Sequence, residues 1–139
     1  MIERILVPMD DSEMAERALT YALENHADAE IIVLHVAGEP SAMWGVATGI
    51  ALEDDLESAA EEKAAPVFDR AREMAAEYDV DVETTVQLGS PVRAILNAAD
   101  DVDAVVVGSH GGSLADHLFV GNVAQKVVRQ SPVPVVVVR

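Results

Sequence analysis

Cysteine is absent from the 139 residues of this chain, which excludes disulfides, thiolate metal sites and cysteine nucleophiles together. Positive charge is scarce: nine Lys and Arg stand against 25 Asp and Glu, a formal charge of −16 at pH 7. Such a surface repels phosphate backbones and anionic headgroups, so non-specific binding to nucleic acid or membrane is excluded. An anionic ligand must then be held locally, by main-chain amides or a metal ion. Long apolar runs are missing too. None approaches the roughly 18 residues of a membrane span, and Met1-Ile2-Glu3-Arg4 lacks the basic region and apolar stretch of a signal peptide. A soluble cytoplasmic protein is the expectation.

Half of the residues are hydrophobic. At roughly 150 residues per domain, 1–139 reads as a single domain, able to bury roughly two-thirds of the surface its unfolded chain exposes. Only two of the basic residues are lysines, Lys63 and Lys126, and aromatics make up 4%. That profile resembles proteins from salt-saturated cytoplasm, as in a halophilic archaeon, where a Debye length of about 3 Å at 1 M salt screens carboxylate repulsion.

Apolar runs bounded by turn residues alternate with helix-period stretches, the pattern of repeated strand-helix-strand units around a parallel sheet. Strands are expected at Ile2 to Val7, Glu30 to Val36, Val80 to Leu88, Ala104 to Val107 and Val133 to Val138. Ile31-Ile32-Val33-Leu34 does not alternate, as in a strand covered on both faces. Between the strands, Ala15, Ala18, Leu19, Ala22 and Leu23 recur at helical spacing behind a Ser12 cap. A longer stripe runs from Leu52 to Tyr78, with a kink or break expected at Pro66. Ser90 and Pro91 open a short helix as cap and first residue, and a last helix turns Val123, Ala124, Val127 and Val128 inward. Residues 37 to 52 are the longest irregular stretch, either a surface loop or a flap over a site. The fold class is α/β: a three-layer, Rossmann-like open sandwich with a five-stranded parallel sheet, order 3-2-1-4-5, and helices on both faces.

Open parallel sheets bind ligands beyond the carboxyl ends of the strands, where strand order reverses. Two loops have the composition for that crevice: Pro8 to Ser12 after the first strand, and Gly108 to Asn122 after the fourth. Glycines allow amides to approach phosphate oxygens, and a helix opening near Gly121 would aim free N–H groups at the same place. Neither the P-loop nor the dinucleotide fingerprint is present. A phosphoacceptor receiver domain could use Asp10-Asp11 as its acidic pair, but the third strand ends in Gly89-Ser90 without an acceptor Asp, and no lysine follows the fifth. Asp10 can equally be a turn or capping carboxylate, and His35 a satisfied core histidine. His110 and His117 lie in a loop without a partner nucleophile. Glu53-Asp54-Asp55 and Glu57 read as a solvated helix start.

Gly108, Gly111 and Gly121 stand at a spacing of Gly, two residues, Gly, nine residues, Gly. With Pro8-Met9-Asp10, Ser12, Leu34-His35-Val36, Gly89-Ser90-Pro91 and the closing Pro132-Val133-Pro134 run, the chain resembles the universal stress protein family (UspA-like domain) over nearly its whole length. The resemblance implies ATP or another adenine nucleotide as ligand, with Mg²⁺ as its candidate companion. It implies Asp10 facing the ribose or adenine, the main chain of Val36 meeting the adenine edge, and Gly108, Gly111, Gly121 and Asn122 lining ribose and phosphates. Pro8, Ser12 and His110 from the same loops complete the candidate set. Asn122 departs from the family pattern, in which ATP binders carry a hydroxyl there.

A homodimer through the edge strand Val133 to Val138 is expected, with a further, unidentified protein as partner. The alternatives are a stress-protein dimer that binds no nucleotide, and a slow ATP hydrolase using Asp10 or His110 to orient water. The glycine loop has no lysine or arginine to stabilise a transferred phosphoryl group, so turnover should be weak or absent.

Overall fold

The computed structural model describes residues 2–37, 53–109 and 122–139. In chain order the elements are β1 (Arg4–Pro8), α1 (Glu13–Asn25), β2 (Glu30–Ala37), α2 (Glu53–Ala76), β3 (Val82–Leu88), α3 (Pro91–Ala99), β4 (Ala104–Gly108), α4 (Asn122–Gln130) and β5 (Val135–Val138). All five strands pair in parallel, in the order β3-β2-β1-β4-β5 that the sequence predicts.

Alternate residues of each strand face opposite cores. Ile5, Val7, Ile31, Val33 and Val106 pack with Leu19 and Leu23 of α1 and with Val67, Phe68 and Ala71 of α2. Leu6, Ile32, Leu34, Val105 and Val107 pack with Ile95 of α3 and with Ala124 and Val127 of α4. Helices on both faces explain why β2 and β4 read as unbroken apolar runs.

Several expectations are corrected at the ends of elements, each where the chain commits its main chain elsewhere. Val80 does not open β3, because its N–H donates to the Ala75 carbonyl at 3.0 Å while the Asp79 N–H donates to Ala76 at 3.1 Å. This is a Schellman closure of α2, with Asp79 at φ 56° in the left-handed position. Val133 is likewise withheld from β5: its N–H donates to Ser131 Oγ at 3.1 Å, and the ladder starts where the Pro134 carbonyl accepts from the Val105 N–H at 3.0 Å.

Pro66 does not break α2, which runs as one element through it. The residue is exposed, while Ala64, Val67, Phe68 and Ala71 around it are buried. Burial of that stripe outweighs one lost hydrogen bond on the solvent side, where helix carbonyls already tilt outward. On α4 only Ala124 and Val127 are buried; Val123 and Val128, expected inward, are 38% and 48% exposed. Nine residues present too narrow a stripe for all four.

The start of β1 is pinned to β4 by one carboxylate. Asp103 Oδ2 accepts from the main-chain N–H of both Glu3 and Arg4 at 2.9 Å, and those amides hold the Asp103 carboxyl below the usual aspartate range. A depressed folded-state pKa contributes stability that is complete above the unfolded value of about 3.9 and is lost as pH falls through the folded one. Asp103→Asn should therefore be less stable than wild type at neutral pH, with the gap closing below about pH 4. Denaturant midpoints measured against pH would show this; parallel curves would deny the clamp.

Candidate functional site

Strand order reverses between β1 and β4: the chain leaves β1 toward β2 on one side and leaves β4 toward β5 on the other. The connections diverge there, and a crevice opens at the carboxyl ends. It holds a cavity of about 420 Å³ to which Pro8, Asp10, Val36, Gly108 and Asn122 all contribute. That volume falls within the roughly 300–1,000 Å³ of small-molecule sites.

Each polar feature of the cavity has a local cause. β1 ends at Pro8, paired with Leu34, and the Met9 N–H still donates to the Leu34 carbonyl at 2.8 Å. On the other side of β2, the Ala37 carbonyl accepts from the Gly89 N–H at 3.1 Å. Main-chain groups alternate sides along a strand, so the N–H and C=O of Val36 point toward β1, past its last paired residue. The same holds on β4. Val105 and Ser109 donate to β5 at 3.0 and 2.8 Å, so the main chain of Gly108 points toward the end of β1. A donor and an acceptor from Val36 and a close main-chain approach at Gly108 thus face one space.

Gly108 is glycine because α1 passes over it. A Cβ there would lie 2.8 Å from the carbonyl oxygen of Met14 and 3.0 Å from its carbonyl carbon and Cβ. The turn that carries Asp10 is tied down at each step. His35 Nδ1 lies 2.9 Å from the Met9 carbonyl, and because a carbonyl only accepts, Nδ1 carries the proton. Asp10 Oδ1 accepts from the Ser12 N–H at 2.9 Å, and Ser12 Oγ accepts from the Ala15 N–H at 3.1 Å as the cap of α1. Asp10 is therefore a turn carboxylate and a wall of the cavity at once. His35 is the satisfied histidine.

Ser12 Oγ accepts the cap hydrogen bond of α1, and Ser12 is not among the described lining residues. His110, Gly111 and Gly121 lie outside the described residues, as does the stretch 38–52. Ser90 occupies the cap position of α3 with Pro91 following it, as expected, but its side chain makes no capping hydrogen bond.

Sequence reasoning missed the apolar walls. Leu34, Ile95, Val107 and Ala124 are buried and line the cavity, with Pro91 and Val123 toward the rim. Residue parity on β2 and β4 was the available signal. Asp10 and Asn122 are the only polar side chains among the described lining residues, and no lysine or arginine joins them.

A second cavity, of about 630 Å³, follows the other flank of α3 past Arg4, Glu83, Arg93 and Asn97. It takes nothing from the turn after β1. Its Arg4 is already 3.1 Å from Glu30 and 3.9 Å from Glu83. Among the described residues no group of three or more His, Asp or Glu is placed to hold a metal ion, and no helix is long and apolar enough to cross a membrane.

Comparison with known proteins gives concordant matches. A family profile described as Universal stress protein family matches residues 1–139. Universal stress protein YxiE of Bacillus subtilis is 34% identical over 148 residues, covering 100% of both chains. The solved structure of MJ0577, a universal stress protein of Methanocaldococcus jannaschii, superposes with a TM-score of 0.83 at 29% identity, covering 99% of this chain and 96% of that one. A universal stress protein solved in complex with cAMP matches with a TM-score of 0.72 at 26% identity, covering 99% of this chain and 97% of that one.

Proposed function

This chain belongs to the universal stress protein family, and from that premise we propose that it is a cytoplasmic adenine-nucleotide-binding module whose ligand state biases its association with other proteins. The single observation that carries the reading is the main chain of Val36 opening into a 420 Å³ cavity beside Asp10 and Gly108. Adenine offers a ring-nitrogen acceptor next to an exocyclic amine donor, and one N–H with its C=O complements that edge. The Asp10 carboxylate accepts from ribose hydroxyls. Asn122 opens α4, so phosphates lie against its side-chain amide and the free N–H groups of the helix start. Buried Leu34, Ile95 and Val107 supply the apolar bed for the base.

The cAMP complex of a relative supports an adenine nucleotide as the ligand class. Mg²⁺ would accompany a di- or triphosphate, with its ligands supplied by phosphate and water. Hydrolysis is a weaker reading, because no cation among the described lining residues stabilises a transferred phosphoryl group.

The partner in the proposed dimer is a second copy. β5 is the outer strand of the sheet beside β4, and Val135–Val138 remain half-exposed. An open apolar edge of that kind pairs most simply across a two-fold axis. Native mass spectrometry of gently purified protein, incubated with AMP or ATP and Mg²⁺, tests both parts. A two-chain species carrying one nucleotide per chain is expected. A ligand-free dimer at saturating nucleotide would instead support a stress-protein dimer acting without nucleotide.

A further inference from the structure

We infer that this site takes adenosine ligands of low charge and admits polyphosphates only as salt screens the protein's own field, so that ATP affinity rises with ionic strength. The inference rests on the nucleotide-binding reading and specifies the ligand class of the same cavity.

Three observations carry it. The described lining includes the Asp10 carboxylate and no lysine or arginine. The sequences of the two segments outside the described residues, 38–52 and 110–121, contain no lysine or arginine. The nine cations are committed or lie outside the described lining: Arg4, Arg17, Arg70 and Arg72 each lie within salt-bridge distance of a carboxylate, while Lys63, Arg93, Lys126 and Arg129 on helices and Arg139 after β5 are exposed without lining the cavity. Among the described residues, phosphate oxygens therefore meet only uncharged donors, main-chain dipoles and the Asn122 amide, inside a molecule of formal charge −16.

Dipoles and charges act over different distances. Hydrogen bonds from amides at contact are barely screened, whereas repulsion from carboxylates spread over the surface falls steeply as the Debye length shrinks from about 10 Å at 0.1 M to about 3 Å at 1 M. Salt thus removes the unfavourable part and leaves the favourable part. A lysine-lined phosphate site behaves in the opposite way, because salt weakens the attraction it depends on. Adenosine carries no charge and is indifferent to either.

The test is calorimetric titration of the full chain with adenosine, AMP and Mg²⁺-free ATP in 0.2 M and 2 M KCl. Adenosine affinity should change less than about twofold, and ATP affinity should rise about tenfold or more with salt, AMP falling between. A second arm works at 2 M KCl alone and does not depend on the fold at low salt: Asn122→Lys, at the exposed first residue of α4, should raise the ATP-to-adenosine affinity ratio several-fold. ATP affinity that falls with salt while adenosine still binds, or a ratio unmoved by Asn122→Lys, would overturn the inference and leave the nucleotide reading standing. Failure of adenosine, AMP and ATP alike to bind at either salt would overturn both.

Discussion

Gly108→Val is expected to lower both the stability of the fold and the affinity of the site. Its first added carbon would sit 2.8 Å from the Met14 carbonyl oxygen, a contact with main chain that no rotamer relieves. Either the first turn of α1 lifts or the end of β4 bends, and overpacking of that kind costs typically about 1–3 kcal/mol. Against the 5–15 kcal/mol that hold a domain together, roughly, this is a large fraction. Ligand affinity should fall with it, because α1 carries the Asp10 turn at its start and the Gly108 main chain faces the cavity. Chemical denaturation and nucleotide titration of the same preparation would test this. A variant as stable as wild type would mean that α1 does not press on β4.

Asp10→Ala should separate the two roles of its carboxylate. The turn loses the acceptor for the Ser12 N–H, a hydrogen bond of an exposed loop worth about 0.5–1.5 kcal/mol net. Loss of a charged acceptor for ribose should cost about 1.5–3 kcal/mol of binding, which is roughly tenfold to a hundredfold in affinity. Asp10→Asn distinguishes the contributions: its side-chain oxygen can still accept from Ser12, so stability should return to near wild type while affinity stays intermediate. Binding unchanged in Asp10→Ala would leave this carboxylate a turn residue and nothing more.

The architecture was readable from particular residues. Ile31 to Leu34 run apolar without alternation because α2 and α3 cover the two faces of β2, so burial on both sides shows directly in the sequence. What local pattern could not supply was competition for main-chain groups. Val80 and Val133 have strand-like side chains, but a helix closure and a serine turn take their amides. Pro66 carries a helix-breaking signal that long-range packing of α2 on β2 and β3 overrides.

The site divides along the same line. Asp10, Gly108 and Asn122 were visible because turns and helix starts have local signatures. Ile95 and Val107 were not, since their place in the wall depends on how α3 and β4 meet in space. Ser12 shows the limit from the other side: its residue type suits a ligand contact and a helix cap, and its Oγ accepts from the Ala15 N–H as the cap while its O–H remains a donor.

The most direct test is a crystal structure of the protein grown with AMP at high salt. The adenine is expected between Leu34 and Ile95, with its edge against the main chain of Val36 and its ribose at Asp10. Nucleotide density elsewhere, or an empty cavity in crystals whose dissolved protein binds AMP, would contradict it.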